Sequence, residues 1–453
     1  MPTRLALRCG GKMNQATSRI AADPLQENAI RKITLRMVPL LMVGYIVSYL
    51  DRINIGFAKF GMEKTFGMSA TQYGFLAGIF FIGYVLAEVP SNVIMTRVGA
   101  RLWLSRILVT WGIIATATAF APNLPTAYAL RFLLGVAEAG FFPGIIVHLT
   151  RWYPNDHRTK VISTVMVSIP IASVLGGPLN GWILDAFDGA LGFSGWRWVL
   201  VVGGLPAVAL GVAFFFLLTE KPSDAKWLTD LERDWLCRTL AAEEAERALV
   251  APAGHRAALL DKRVIALCLA YFLLLCGAYP LTYWMPSVIK DVGHGLTGAQ
   301  VGWLSAVPFL LAAICMYVCG RLVRDERSAK PVLVALAVSV VAFVVTAGNL
   351  HTAAVAFIAI SIATMAAQTA KPLFWSVPTA YLAGAGAASG IALINSLGNA
   401  AGFVSPYAFG WIEDASGGDT GLAMGVMIAA NVGALLVILG LRWRARDAVR
   451  AGA

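Results

Sequence analysis

The run GWRWVLVVGGLPAVALGVAFFFLLT, residues 195–219, ends where the longest polar segment of the chain, residues 220–263, begins. A helix needs about 20 mostly apolar residues to cross the hydrocarbon core of a bilayer, so this run predicts a transmembrane helix. The polar segment carries Trp227, Leu231 and Trp235 at spacings typical of an amphipathic helix that lies along a membrane surface. The segment therefore divides the chain into an apolar half before it and an apolar half after it.

Each half contains six apolar runs. The predicted spans lie near 33–58, 70–95, 101–121, 125–150, 159–183 and 195–219, and then near 264–290, 296–320, 331–349, 352–382, 387–411 and 420–441. The predicted fold class is an all-α membrane protein with twelve transmembrane helices in two six-helix bundles. The predicted domains are a cytoplasmic N-terminal tail (1–32), an N-terminal bundle (33–219), a cytoplasmic linker with an amphipathic helix (220–263), a C-terminal bundle (264–441) and a cytoplasmic C-terminal tail (442–453).

Composition and charge support a protein that lives in a lipid bilayer. Hydrophobic residues make up 58% of the chain and charged residues only 13%, against about 25% charged residues in an ordinary soluble domain. Of the 36 Lys and Arg residues, 29 fall on one side of the predicted spans and four, Lys59 among them, on the other. Because cytoplasmic loops carry the excess of basic residues, both termini are predicted in the cytoplasm. This distribution explains the net charge of +11 without a nucleic-acid partner.

Several ionisable side chains fall inside the predicted spans, where a charge is costly and indicates function. They are Asp51, Arg52, Glu88, Arg131, Glu138 and Lys371. Counting along the spans places Asp51 and Arg131 at one level, and Glu138 two helical turns beyond Arg131 on the same face, near the midplane. Lys371 also counts to about mid-depth, whereas Glu88 lies nearer the inner end, which favours a structural or gating role.

These charges predict a polar cavity at the centre of the bundle. Arg52 and Arg131 would bind an anionic substrate through bidentate hydrogen bonds, and Asp51 and Glu138 would take up and release protons. The alternative is a static network in which these four residues pair with one another and hold the helices together. For Lys371, substrate binding stays open against snorkelling or pairing with a carboxylate.

Uncharged residues at similar depth complete the predicted cavity. Tyr84, Tyr279 and Asn399 count to positions near the midplane. Tyr283 and Trp375 also lie deep enough to face a substrate, with plain packing as the alternative.

Segments along the whole chain resemble one known family. They are YLDRINIGFA (49–58), GYVLAEVPSN (83–92), RFLLGVAE (131–138), GWRW (195–198), EKPSDAKWL (220–228) and INSLGNAAGF (394–403). From residue 33 to residue 441 the chain is similar to the major facilitator superfamily. Within that superfamily it resembles the anion:cation symporter family, in the branch of bacterial tartrate, phthalate and galactonate permeases. The loop between spans 2 and 3 departs from the superfamily's pattern, because Thr96 stands where an acid is usual.

The resemblance implies proton-coupled import of a small carboxylate, such as tartrate, phthalate or a sugar acid, by alternating access in the bacterial inner membrane. It implies proton handling by Asp51 and Glu138, and substrate binding and coupling by the two arginines. It also implies cavity lining by Asn395 or Asn399 and by the aromatic residues of span 7. We expect a monomer that uses the proton as its coupling ion and needs no cofactor.

Other function classes are weighed against this one. An exporter or antiporter of a metabolite or drug is the nearest, because GGPLNG at 176–181 partly resembles the glycine–proline motif of antiporters. The cationic cavity nevertheless favours anions. A non-transporting sensor is disfavoured because the only long polar segment is the linker. An enzyme is disfavoured because no metal cluster, nucleotide loop or nucleophile constellation appears, and Cys315 and Cys319 fit apolar packing.

Overall fold

The computed structural model describes residues 24–249, 262–322, 329–375, 377–378 and 386–451, and its regular structure in these ranges is helical. The helices before the linker are α1 (Pro24–Phe66), α2 (Ala70–Val98), α3 (Ala100–Thr118), α4 (Leu124–Glu138), α5 (Phe141–Thr150), α6 (Asn155–Met166), α7 (Ser168–Ala186) and α8 (Gly195–Leu217). The linker contains α9 (Asp230–Leu249). After it come α10 (Lys262–Cys276), α11 (Tyr279–Gly293), α12 (Gly298–Leu322), α13 (Lys330–Gly348), α14 (Ala353–Phe374), α15 (Gly386–Asn399), α16 (Ala401–Ala415), α17 (Thr420–Ala423) and α18 (Gly425–Ala451).

Among the described residues, 10 helical stretches are long and apolar enough to cross a membrane, judged on length and composition alone. Four of these stretches each contain two consecutive helices, namely α4–α5, α6–α7, α10–α11 and α17–α18. The two other predicted spans correspond to α3 and to the pair α15–α16. Arg101 and Arg106 lower the mean hydropathy of α3, and α15–α16 is interrupted at Ala400. These helices confirm the predicted all-α membrane fold class.

The first helix begins at Pro24, earlier than the span predicted from residue 33. Residues 24–32, assigned to the tail from sequence, are helical because α9 packs against them. Lys32 on α1 forms an ion pair of 2.8 Å with Glu232 on α9. Burial by itself raises the pKa of Glu232, but hydrogen bonds from Lys32 and Thr229 outweigh it and hold that pKa below its usual value. The remainder of the predicted N-terminal tail, residues 1–23, lies outside the described residues, as do residues 250–261 of the linker and 452–453 of the C-terminal tail.

The halves meet most extensively at the end of the bundle where α1 finishes and α2 begins, which we call the closed end. There α2 packs on α16, and α7 packs on α12. A Cβ atom on Gly177 of α7 would lie 2.4 Å from the carbonyl oxygen of Gly302 on α12. The backbones therefore touch directly, a closeness that only small residues permit in a membrane bundle.

A carboxylate caps a helix across each of these two contacts. Asp414, at the end of α16, accepts hydrogen bonds from the first two backbone N–H groups of α2 at 3.0 and 2.8 Å. Asp185, at the end of α7, accepts from the first two backbone N–H groups of α12 at 2.9 and 2.7 Å. The first N–H groups of a helix have no partner within the helix, and its dipole favours a negative charge there. The two caps therefore hold the halves together at the closed end.

Candidate functional site

Helices α1 and α4 bring the predicted charges of the N-terminal half together. On α1, Asp51 and Arg52 lie three and four residues after Ser48, so each is a neighbour of Ser48 on the helix surface. On α4, Arg131 and Glu138 are two turns apart and also share a face. The side chains of Asp51, Arg131 and Glu138 are all buried.

Glu138 is the centre of the hydrogen bonding in this cluster. Its Oε1 accepts from Ser48 Oγ at 2.7 Å, from Arg52 Nε at 3.0 Å and from Arg52 Nη2 at 2.6 Å. Its Oε2 is buried, and no hydrogen-bond partner for that atom lies among the described residues. Glu138 ends α4, and Gly140 (φ 87°) turns the chain into α5. One oxygen of the carboxylate thus holds Arg52, and the other is left to accept a proton or a further donor.

Both arginines lie over the same aromatic ring. The guanidinium carbons of Arg52 and Arg131 are 5.3 and 5.2 Å from the ring centroid of Phe80 on α2. Arg52 also lies 5.3 Å from the ring of Tyr84, one turn along α2, and 5.4 Å from the ring of Tyr49. An aromatic face attracts a guanidinium and leaves its N–H edge free to donate. The ring therefore holds both cations close together, with Arg52 bonded to Glu138 through Nε and Nη2 and Arg131 Nε without a partner among the described residues.

Asp51 and Arg131 do not pair as the static network requires. Across the described chain, no ion pair within 4.0 Å involves either residue. Asp51 Oδ2 and Arg131 Nε are buried and without a hydrogen-bond partner among the described residues. A buried polar atom left unsatisfied costs about 1–3 kcal/mol, and more when charged. Of the four residues, only Arg52 and Glu138 form the expected ion pair.

The C-terminal half contributes a second polar group around Tyr279, the first residue of α11. Tyr279 Oη donates a hydrogen bond of 3.2 Å to Asn399 Oδ1 on α15. Lys371 Nζ on α14 lies 5.7 Å from the centre of the Tyr279 ring. The same ring contacts Phe81 of α2 at 4.8 Å, which joins this group to the N-terminal half. Asn395 lies one turn before Asn399 on α15.

Three other residues singled out from the sequence are Trp375, Tyr283 and Glu88. Trp375 packs against Tyr271 at 5.0 Å, inside the C-terminal half. Tyr283 is buried on α11, and its backbone carbonyl accepts a hydrogen bond of 3.1 Å from Tyr73 Oη. Glu88 lies one turn beyond Tyr84 on α2, and its carbonyl accepts from Asn92 Nδ2 at 2.9 Å. Glu88 interacts electrostatically with Arg52, and Tyr283 does so with Arg131 and Arg52.

Sequence reasoning missed Ser48, Phe80 and a buried lysine. Lys59 was counted among the basic residues outside the membrane, but it is only 5% exposed within α1. It lies 3.5 Å from Glu63 and over the rings of Tyr73 and Trp284. Its position seven residues after Arg52, on the same helix face, was the signal available.

A bundle of apolar helices that encloses paired and unpaired charges defines a class of molecule, the multi-pass membrane transporter. The chain belongs to the Major Facilitator Superfamily, whose family model matches residues 41–406. It therefore transports a small molecule and is not an enzyme. No three His, Cys, Asp or Glu side chains of the described ranges are grouped as a metal site.

Individual relatives agree with this assignment. The chain is 43% identical over 404 residues to the "Putative tartrate transporter" of Agrobacterium vitis, with 89% of each protein covered. It is 38% identical over 395 residues to the "Quinolone resistance transporter" of Acinetobacter baumannii, covering 86% of this chain and 90% of that relative. The solved structure of a D-xylose–proton symporter matches with a TM-score of 0.70 at 16% identity, covering 89% of this chain and 96% of that one. That structural likeness shows the fold, and the sequence relatives confirm the resemblance to organic anion permeases.

Proposed function

We propose that the protein is a proton-coupled symporter that imports a small organic carboxylate, such as tartrate, phthalate or a sugar acid, by alternating access. The observation that carries the proposal is the ion pair between Arg52, which is partly buried, and Glu138, which is fully buried. One guanidinium cannot give the same N–H groups to a carboxylate of the protein and to a carboxylate of a substrate. Competition for Arg52 therefore links the state of Glu138 to anion binding.

Protonation of Glu138 is the step that favours the substrate. While Glu138 is ionised, its Oε1 takes both Nε and Nη2 of Arg52. A proton on Glu138 removes its charge, weakens its bond to Arg52 and leaves the guanidinium to an anion. Proton and anion then bind in support of one another, as symport requires. Arg131, with its unsatisfied Nε, adds a second cation to the site, and Asp51 adds a second acid.

The charge distribution supports an orientation in the bacterial inner membrane with both termini in the cytoplasm. In that orientation the closed end faces the periplasm, and this conformation is closed to the outside. A carrier that has just taken in its substrate from outside adopts such a state before it releases the substrate inside. We further propose that the working unit is a monomer of the anion:cation symporter family, with the proton as its coupling ion and no other cofactor.

Drug or metabolite export is the second candidate function. It is favoured by the 38% identity to the quinolone resistance transporter. Import of a carboxylate is favoured by the 43% identity to the tartrate transporter and by the two arginines over one ring.

The test is uptake into proteoliposomes across an imposed pH gradient, with labelled tartrate, phthalate and galactonate. We expect accumulation of at least one of them, driven by the proton gradient. Glu138→Gln mimics a permanently protonated acid, so it should abolish accumulation but keep exchange of labelled for unlabelled substrate. Glu27→Gln, at an exposed position in the first turn of α1, is the matched control and should accumulate substrate normally. Uptake that is independent of the proton gradient for every carboxylate contradicts the proposal, and outward movement of a quinolone alone would favour export.

A further inference from the structure

Lys371 is a partly buried cation in the last turn of α14, directly before Pro372. Within the described chain, no carboxylate oxygen lies within 4.0 Å of its Nζ. Its Nζ lies 5.7 Å from the centre of the Tyr279 ring. Arg52 and Lys59, two other cations inside the bundle, each have a glutamate partner. An unpaired charge at this depth is costly, and such residues in membrane proteins mark substrate pathways.

The surroundings of Lys371 show which way its charge faces. The ring of Tyr279 lies between Lys371 in the C-terminal half and Phe81 in the N-terminal half. Phe81 contacts Phe80 at 5.2 Å, and Phe80 is the ring over which both arginines lie. A continuous row of aromatic rings therefore joins Lys371 to the arginine cluster across the interface between the halves.

The two sides of this interface differ in whether their cations are accompanied by carboxylates. The N-terminal side has two arginines and three carboxylates, Asp51, Glu88 and Glu138. The C-terminal side presents Lys371 beside neutral partners, Tyr279 and Asn399. A substrate with a single carboxylate, bound at Arg52, would leave the lysine without an anion.

We propose that Lys371 binds a second carboxylate of the substrate and so selects dicarboxylates over monocarboxylates. One carboxylate binds Arg52 and Arg131, the other binds Lys371, and the substrate bridges the two halves. This inference rests on the proposed function, because it assigns a substrate class to the same site. It also explains why a cation is placed on α14, where the N-terminal acids do not reach it.

The test compares diacids with their monoamides, which keep the carbon skeleton and lose one charge. Tartrate with its monoamide, and phthalate with phthalamate, are measured by ligand-induced thermal stabilisation of the purified full-length protein, without a proton gradient. We expect the wild type to bind a diacid about 10-fold or more tightly than its monoamide. Lys371→Gln should lower diacid affinity by about the same factor and leave monoamide affinity within about twofold, while Lys371→Arg restores diacid binding. Lys290→Gln, a lysine over the ring of Phe60, is the control and should change neither affinity.

Several outcomes would overturn the inference. A wild type that binds monoamides as well as diacids, or that binds monocarboxylates only, removes Lys371 from the site and leaves the proposed symport standing. Equal losses for both ligands of a pair in Lys371→Gln indicate a structural role. If Lys371→Gln does not fold, the inference is tested by the diacid and monoamide affinities of the wild type and of Lys371→Arg. Failure of proton coupling in the uptake assay contradicts symport, but it does not alter a measured preference for diacids.

Discussion

Phe80 carries no charge, yet the guanidinium groups of both Arg52 and Arg131 lie over its ring. A cation–π contact contributes about 0.5–2 kcal/mol, depending on how dry it is. In Phe80→Leu the ring is lost at similar volume, so both arginines lose their common support. We expect the affinity for the transported anion to fall by about 10-fold, with the protein still folded. Saturation binding to the purified variant measures this effect.

Phe216→Leu provides the matched control for that change. Phe216 is 75% exposed on α8, so its replacement should leave binding unaltered. If Phe80→Leu binds the anion as tightly as the wild type, the shared ring does not organise the arginines.

The sequence predicts which residues form the site where the free-energy cost of a charge in an apolar span identifies them. It does not predict which of these residues pair with one another. The buried positions of Asp51, Arg131 and Glu138 follow from their place in apolar runs. The bond between Arg52 and Glu138 joins residues 86 positions apart, and no periodicity along one helix specifies it. Phe80 was missed because one more phenylalanine in an apolar helix carries no signal of its own until its neighbours are known.

The carboxylate caps at the closed end connect helices of the two halves, α7 with α12 and α16 with α2. Asp185→Ala and Asp414→Ala each leave two N–H groups at a helix start without their partner. The loss of such a cap costs about 0.5–2 kcal/mol of stability. Here the loss destabilises only the conformation in which the halves touch, because the caps form only there. We expect the double variant to shift towards a form that is open at this end. Distances between spin labels on α2 and α16 would report that shift as a growing population of longer separations.

Asp188→Ala separates this effect from simple destabilisation. Asp188 accepts a hydrogen bond of 2.8 Å from Gly195 N at the start of α8, within the N-terminal half alone. Its loss should lower thermal stability without changing the distances between the halves. Equal distance distributions for the wild type, for Asp188→Ala and for the double variant would show that the caps do not control opening.

The positions of the helices could largely be predicted from the lengths of the apolar runs in the sequence. The contacts between helices could not. The last turn of α2 lacks the acid that is usual in the superfamily, with Thr96 in its place. The structure supplies a carboxylate there from a distant segment, since Glu220 accepts from Ala100 N and Arg101 N at 2.9 and 2.7 Å. The sequence offers no local sign that Glu220 reaches the start of α3, because the contact depends on how α8 returns to that side of the bundle.

For the whole molecule, the alternating access that we propose requires that the contact between α7 and α12 can form and break. Gly177 and Gly302 bring the two backbones together with no space for a side chain. In Gly177→Trp an indole would have to fit where a Cβ atom already lies 2.4 Å from a backbone oxygen. Because backbone cannot yield as a flexible side chain does, the halves must stay apart at this end. We expect transport to fall by at least about 10-fold, since the cycle cannot pass through the closed state, while the anion still binds from the open side.

Gly440→Trp is the matched control for that variant, because a side chain at Gly440 on α18 meets no atom within 4 Å. It should transport at the rate of the wild type. Alkylation of a cysteine introduced near Arg52 should speed up in Gly177→Trp when the reagent is added from the closed end, and it should stay slow in Gly440→Trp. Normal transport by Gly177→Trp, with an unchanged alkylation rate, would mean that the contact at Gly177 is not part of the cycle. The gate would then have to lie in the contact between α2 and α16, where Gly74 approaches the carbonyl oxygen of Pro406 just as closely.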